Sequence, residues 1–252
     1  EQDPVLTGEL RADPRLRVMI LDDASLPAAL LAGRKMVDTP WFAELDDDDM
    51  LLPGALAFRL SALRASPELD AVVTNGFKRT AGGDRLNIED VSSVQRDPLR
   101  SLFQRNWLLP GSWLCRTDRV GVEFFEGMPK FLECTYFALR LALGCRIGFL
   151  DRPTVVYFAD TPNAESASRD YKLSHAGALR RLLDLDLPPD VRAELRTRIR
   201  HACQGNARLY LQEGRLHEAW RWHLQSFREF RGWRSIHFTP RFIYDTLWRP
   251  RR

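Results

Sequence analysis

The sequence predicts an α/β protein in which a mostly parallel sheet, flanked by helices, is followed by an α-helical C-terminal subdomain. Two compositional regions carry that expectation. Residues 1–171 alternate short β-branched apolar runs with stretches of helical period, and residues 172–252 are helical in period nearly throughout. A third observation is the acidic run Asp46, Asp47, Asp48 and Asp49, which falls at the end of a predicted strand, where open α/β sheets bind ligands. With 252 residues, 44% hydrophobic and 28% charged, the chain has the length for one large domain or for one domain plus a helical appendage.

The elements follow in order. Residues 16–21 form a short apolar run suited to a buried strand, and residues 27–36 follow as a helix. Residues 41–45 read as a strand that runs directly into the acidic cluster. Pro53 sits where a helix begins, Leu56, Leu60 and Leu63 recur at helical spacing, and Ser66 and Pro67 end it. Residues 70–77 give the next strand, and the turn at residues 80–84, with Gly82 and Gly83, closes a hairpin. Further on, Leu179, Leu182 and Leu183 mark one amphipathic helix, and Pro188, Pro189 and Asp190 start another. Residues 207–220 resemble the helix, glycine turn and helix of one tetratricopeptide unit, with Gly214 at the turn. No second copy occurs at the required period, which predicts a packed helical subdomain rather than a solenoid.

Composition narrows the function classes. The longest apolar stretches fall far short of the roughly 20 residues of a bilayer-spanning helix. Residues 1–20 carry Glu1, Asp3, Glu9, Arg11 and Asp13 and so lack the uninterrupted apolar core of a signal peptide, which predicts a cytoplasmic protein. Cys115, Cys134, Cys145 and Cys203 are scattered without zinc-ligand spacing and read as reduced thiols. A net charge of +3 is mild, but basic residues crowd the C-terminal third, ending in Arg249, Arg251 and Arg252.

Four consecutive carboxylates repel one another, and an apolar strand and helix on either side hold them within the fold. A divalent cation would offset the repulsion. Mg²⁺ or Mn²⁺ takes oxygen ligands, commonly one or two carboxylates plus substrate phosphates. If the run is a strand end, Asp46 and Asp48 point the same way and share one ion. The alternative is a solvated loop or a helix start favoured by the macrodipole.

Residues 39–77, with Asp46, Asp48 and Asp49, then Leu51, Leu52 and Pro53, and the helix after them, resemble the middle of a family 2 glycosyltransferase of the GT-A fold. The resemblance covers roughly residues 10–170. It implies that Asp46 and Asp48 form the family's Asp-x-Asp motif, holding Mn²⁺ or Mg²⁺ against the diphosphate of a nucleotide-diphosphate sugar, with Asp49 adjacent to that donor. It implies that Gly33 is the glycine of the helix before the motif strand. Two placements exist for residues 16–25. In one, Asp22 contacts the nucleobase; in the other, which is preferred, residues 17–21 are the family's third strand and Asp22 is a loop residue. On the second placement the first strands have no counterpart here, so the sheet has an open edge for a partner or a second chain to cover.

Inverting members carry a Glu-Asp pair at a helix start, whose Asp takes the acceptor's proton. The matching residues here are Glu133 and Cys134, so a thiol stands at the base position, and Glu133 is the nearest substitute. A helix-start glutamate favoured by the dipole is the alternative for Glu133. Where the family often completes its metal site with a histidine, Asp160 stands, either an oxygen ligand or simply a turn residue. Trp107 and Trp113 lie where the family builds its acceptor wall and read as sugar-stacking or core residues. The C-terminal helices mix aromatics such as Trp233 and Tyr244 with Arg231, Arg234 and Arg241, which fits core packing or peripheral contact with the inner membrane face. No nucleic-acid motif accompanies the charge, and none is expected as a partner.

The leading expectation is therefore an inverting, metal-dependent transferase moving a sugar from a nucleotide-diphosphate donor to a saccharide or lipid-linked acceptor. The rival is a non-catalytic descendant whose helical C-terminus is a protein-interaction module. A nucleotidyltransferase is a third reading, since it also uses carboxylates and Mg²⁺.

Overall fold

The computed structural model describes residues 3–22, 24–160 and 168–248. Helix α1 (Pro4–Ala12) is started by Asp3, whose Oδ1 accepts from the Val5 and Leu6 amides at 2.9 and 3.1 Å, and it buries none of its residues. Residues 16–21 follow, and here the structure corrects the expectation of a buried strand. They pair with nothing in the sheet, and Leu16, Met19 and Ile20 are exposed. A strand is stable only where a neighbour takes its amides and carbonyls, and no described strand lies alongside to do so. Helix α2 (Leu26–Met36) comes next, capped by Ser25, and turns Arg34 inward to donate to the Val120 carbonyl at 2.8 Å.

The sheet is built from β1 (Trp41–Phe42), β2 (Met50–Leu51), β3 (Ala71–Thr80), β4 (Gly83–Leu86), β5 (Trp113–Arg116) and β6 (Ile147–Phe158), in the order β1-β5-β3-β6-β2, with β4 paired to β3. Only the β3 and β6 pairing is parallel among the described strands, with Ala71 opposite Ile147 and Arg79 opposite Phe158. The other pairings are antiparallel, so the sheet is mixed rather than mostly parallel. The physical reason is connection length. Parallel neighbours need a helical crossover, whereas β3 turns straight back into β4 through Ala81 and Gly82. The strands β1 and β2, two residues each, sit at opposite edges, and residues 43–49 carry the chain from one edge to the other.

Helices cover both faces. On one, α3 (Ala55–Ala65) follows Gly54, whose φ of 75° admits glycine readily, and packs Leu63 against Val72 and Leu114. Arg59 of the same helix is fully buried and donates to the Thr74 and Thr154 hydroxyls, each 3.2 Å from its Nε, and to the Trp113 carbonyl. On the other face, α6 (Glu133–Gly144) buries Phe137, Leu139 and Leu141 against Ala71 and Val73. The one-residue alternation along β3 thus sends Val72 to one face and its neighbours to the other. Between β4 and β5 lie the short helices α4 (Val91–Arg96) and α5 (Pro98–Ser101).

Trp107 and Trp113 are both core residues. Trp107 meets Phe149 edge-on at 4.9 Å, and Trp113 meets Phe137 at 4.8 Å and Phe42 at 5.5 Å. Neither offers a face to a sugar, since each is 1% exposed.

The C-terminal region is helical: α7 (Arg169–Leu182), α8 (Pro189–Gln212), α9 (Leu216–Phe227), a 3-10 helix (Gly232–Phe238) and α10 (Thr239–Trp248). Helices α8 and α9 with Gly214 between them form the expected helix-turn-helix unit, Gly214 taking φ 74°. Leu179, Leu182, Leu195 and Ile199 join the same core as β3 and α6. Packing therefore runs across the compositional boundary near residue 171. A second, smaller core gathers Ala207, Leu211, Ala219 and Phe242. Among the described residues no helix is long and apolar enough to cross a membrane. Arg249, Arg251 and Arg252 lie outside the described residues.

Candidate functional site

The acidic run is a turn, not a strand end. The Asp49 amide donates to the Asp46 carbonyl at 3.2 Å, which places Asp47 and Asp48 at the corner. One oxygen each of Asp46, Asp48 and Asp49 then lie within 4.8 Å of one another. The expected alternation of Asp46 and Asp48 on a strand is thus replaced by a tighter grouping that includes Asp49. Asp47 stays outside it and is exposed.

The position of the turn follows from the sheet. Residues 43–45 cross above Gly111, whose φ is 69°, and a Cβ there would meet Leu45 Cδ1 at 2.9 Å and Val155 Cγ2 at 3.0 Å. This close approach sets the acidic turn beside the end of β6. Phe158 of β6 donates its amide to Asp49 Oδ1 at 3.1 Å, while Asp49 Oδ2 is buried with no hydrogen-bond partner.

Charge accumulates around the turn. Burial, with repulsion from Asp46, Asp48 and Asp47, pushes the Asp49 carboxyl up to about 7, against the pull of the Phe158 amide. Asp46 is raised by burial and then by Asp48, Asp47 and Glu133. The strongest case is Glu44, which sequence reasoning passed over. Burial first, then Asp46, Glu133 and Asp49, push its carboxyl up to about 8. In the sequence Glu44 looks like one alternate position of a strand; only the crossing path of residues 43–49 turns it toward the other acids.

Glu133 opens α6, and its Oε1 accepts from the Phe131 amide at 2.9 Å. Phe131 holds φ at 76°, a left-handed conformation that costs a non-glycine residue about 1–3 kcal/mol and is found where a site requires it. The Cys134 thiol is raised well above its ordinary value by burial and then by Glu44, Asp46, Glu133 and Asp49, so it remains protonated. Two further residues were missed in the sequence. Burial and then Asp49, Cys134, Asp48 and Asp46 raise the Tyr157 phenol of β6, and Lys78 of β3 stands 5.9 Å over the Tyr157 ring. Burial and then Arg105 lower the Lys78 ammonium, with Cys134 acting the other way. Lys78 thus stands next to Tyr157 and Cys134, and Lys130 lies 4.9 Å over the Phe131 ring.

The Asp160 carboxylate accepts from the Ala81 amide at 2.8 Å, holding the β3–β4 turn, and is not one of the three grouped carboxylates. Asp22 is exposed in the loop before α2.

A cleft of about 740 Å³ opens beside Glu133, lined by its neighbours Leu132 and Thr135 and by Asn106, Tyr171, His175 and Arg198. Phe131 links the two, its ring edge-on to Tyr171 at 5.5 Å. Leu132 and Thr135 thus bring the start of α6 to the cleft. Three converging carboxylates and an orphaned buried oxygen fit a hard divalent cation. Compared with known proteins, the chain matches no family model and no curated protein.

Proposed function

We propose that this chain is a metal-dependent glycosyltransferase that moves a sugar from a nucleotide-diphosphate sugar to a saccharide or lipid-linked acceptor, with inversion. The observation that carries the reading is the grouping of Asp46, Asp48 and Asp49 within 4.8 Å beside the carboxylate of Glu133. The resemblance of residues 39–77 to family 2 transferases supports it. Asp46, Asp48 and Asp49 would hold Mn²⁺ or Mg²⁺, and the unpartnered Asp49 Oδ2 is a ready ligand. When bound, the cation supplies positive charge to offset the donor's diphosphate.

The other roles fall to the chain's own groups. Lys78, over the Tyr157 ring, would meet a phosphate oxygen of the donor. The acceptor lies in the cleft that Thr135, Asn106 and Tyr171 line, and Glu133, between the lining residues Leu132 and Thr135 in the chain, is the carboxylate assigned to reach it. Glu133 takes the proton from the acceptor hydroxyl as that oxygen bonds to the anomeric carbon and the bond to the diphosphate breaks. Cys134 takes no part as a base, because its thiol keeps its proton. The reading includes a cytoplasmic location, peripheral contact at the inner membrane face, and a partner or second chain over the exposed residues 16–21.

Calorimetric titration of a panel of nucleotide-diphosphate sugars, with and without Mn²⁺, tests it. Cation-dependent binding of one donor, weakened at least tenfold in Asp48→Ala, is the expected result. Absence of nucleotide binding under all conditions sinks the reading. A second reading, a non-catalytic protein that binds donor and uses its helices to engage partners, is favoured by the protonated thiol at Cys134. Cys134→Asp separates the two: increased turnover supports the transferase, and retained donor binding without turnover in both forms supports the binding protein.

A further inference from the structure

We infer that the C-terminal end of the chain docks on an anionic lipid surface, with the exposed face of α10 and of the 3-10 helix before it as the contact. The inference names the surface for the membrane contact included in the reading above; it rests on exposure and charge, and its test does not depend on transfer activity.

Helix α10 is amphipathic with its apolar side outward. Phe242 is buried at 1% exposure and faces the helical core, while Ile243, Tyr244 and Leu247, which share a face at helical spacing, are 44%, 61% and 64% exposed. The 3-10 helix repeats the arrangement. Trp233 and Ile236, three residues apart and so on one side, are 68% and 63% exposed, while Gly232 and Ser235 are buried. Two consecutive elements thus present bulky apolar and aromatic side chains to solvent while their small or inward residues hold the fold.

Within residues 228–247 the exposed charges are of one sign. Between residues 228 and 247 the acidic side chains are Glu229 and Asp245, and both are turned in, 16% and 11% exposed. Glu229 is paired with Arg180 at 2.7 Å and Asp245 faces Arg241 at 3.5 Å. Arg231, Arg234 and Arg241 are exposed. The Arg234 guanidinium lies 5.5 Å over the Trp233 ring and that of Arg231 lies 5.1 Å over Phe230, so cation and aromatic reach the surface together.

That chemistry selects the occupant. An aromatic and aliphatic face seats at the boundary of headgroups and acyl chains, where Trp and Tyr are favoured, and arginines at its margin meet anionic headgroups. A second copy is the poorer match, because a two-fold interface brings the same patch to itself and sets arginines against arginines without exposed carboxylates to answer them.

Flotation of the full chain with vesicles tests the inference, using phosphatidylcholine alone and phosphatidylcholine with one third phosphatidylglycerol. The chain is expected to float with the anionic vesicles, to stay down with the neutral ones, and to be released as salt rises toward about 0.5 M. Arg234→Ser is expected to lower partitioning about fivefold. The double substitution Trp233→Ser with Leu247→Ser lowers it at least tenfold while leaving the melting profile unchanged. Quenching of tryptophan emission by brominated lipid reports the same contact in the unaltered chain. Failure to float with anionic vesicles, equal flotation with neutral ones, or a dimer in light scattering that Leu247→Ser dissociates overturns it.

Discussion

At the residue scale the acidic turn ties stability to proton concentration. Glu44 and Asp49, ordinarily near 4.5 and 3.8, are held up to about 8 and about 7 in the folded chain, in each case first by burial and then by neighbouring carboxylates. The folded chain keeps these protons to higher pH than the unfolded chain does. The stability they contribute is present in full below about pH 4 and is lost as pH rises through 7 and 8. In EDTA the thermal midpoint should therefore fall between pH 5 and pH 8.5, and Glu44→Gln should flatten that fall; differential scanning calorimetry across the range checks both. Mn²⁺ should raise the midpoint most at the alkaline end, where the carboxylates are ionised. Asp46, Asp48 and Asp49 were legible in the sequence because four consecutive acids pinned between apolar runs repel one another until a cation offsets their charge. Glu44 and Lys78 were not, since each reads as one polar position in a strand and acquires meaning only from what lies across from it.

At the element scale the site depends on how residues 43–49 cross the sheet. Gly111 makes the crossing possible twice over, by its φ of 69° and by leaving room for Leu45 and Val155. Gly111→Ala should cost about 1–3 kcal/mol in urea unfolding and displace the acidic turn, so that Mn²⁺ affinity falls along with stability. A loss of stability with Mn²⁺ binding unchanged would show that the turn is held by other contacts. Longer elements with clear periodicity, such as α2, α3, β3 and the α8 and α9 pair, were legible in outline. The two-residue strands β1 and β2 carry too little pattern to be told from loop, and α1 depends on a single capping aspartate. Residues 16–21 have a strand's composition but no described neighbour to pair with, a condition that no local pattern reports.

At the scale of the whole molecule, the change of composition near residue 171 is real, yet the packing ignores it. One core runs from Ala71 and Val73 through α6 to Leu182, Leu195 and Ile199. Residues 3–203 should thus unfold in a single cooperative transition, with near- and far-ultraviolet circular dichroism giving the same midpoint, and a chain ended at Tyr171 should lack fixed tertiary signals. Two separate transitions, or a well-folded truncated chain, would argue for independent domains. The mixed order of the sheet was not legible, because alternation of strand and helix says nothing of which strands become neighbours. That order also governs when the molecule can form. Its central pairing joins Ala71 to Ile147, and the edge strand β2 waits for Val155 and Val156. During synthesis the first half of the chain therefore leaves the ribosome with its hydrophobic strand β3 unmatched on one side. Such distant pairing makes folding slow and leaves that edge of β3 open until Phe158 has emerged.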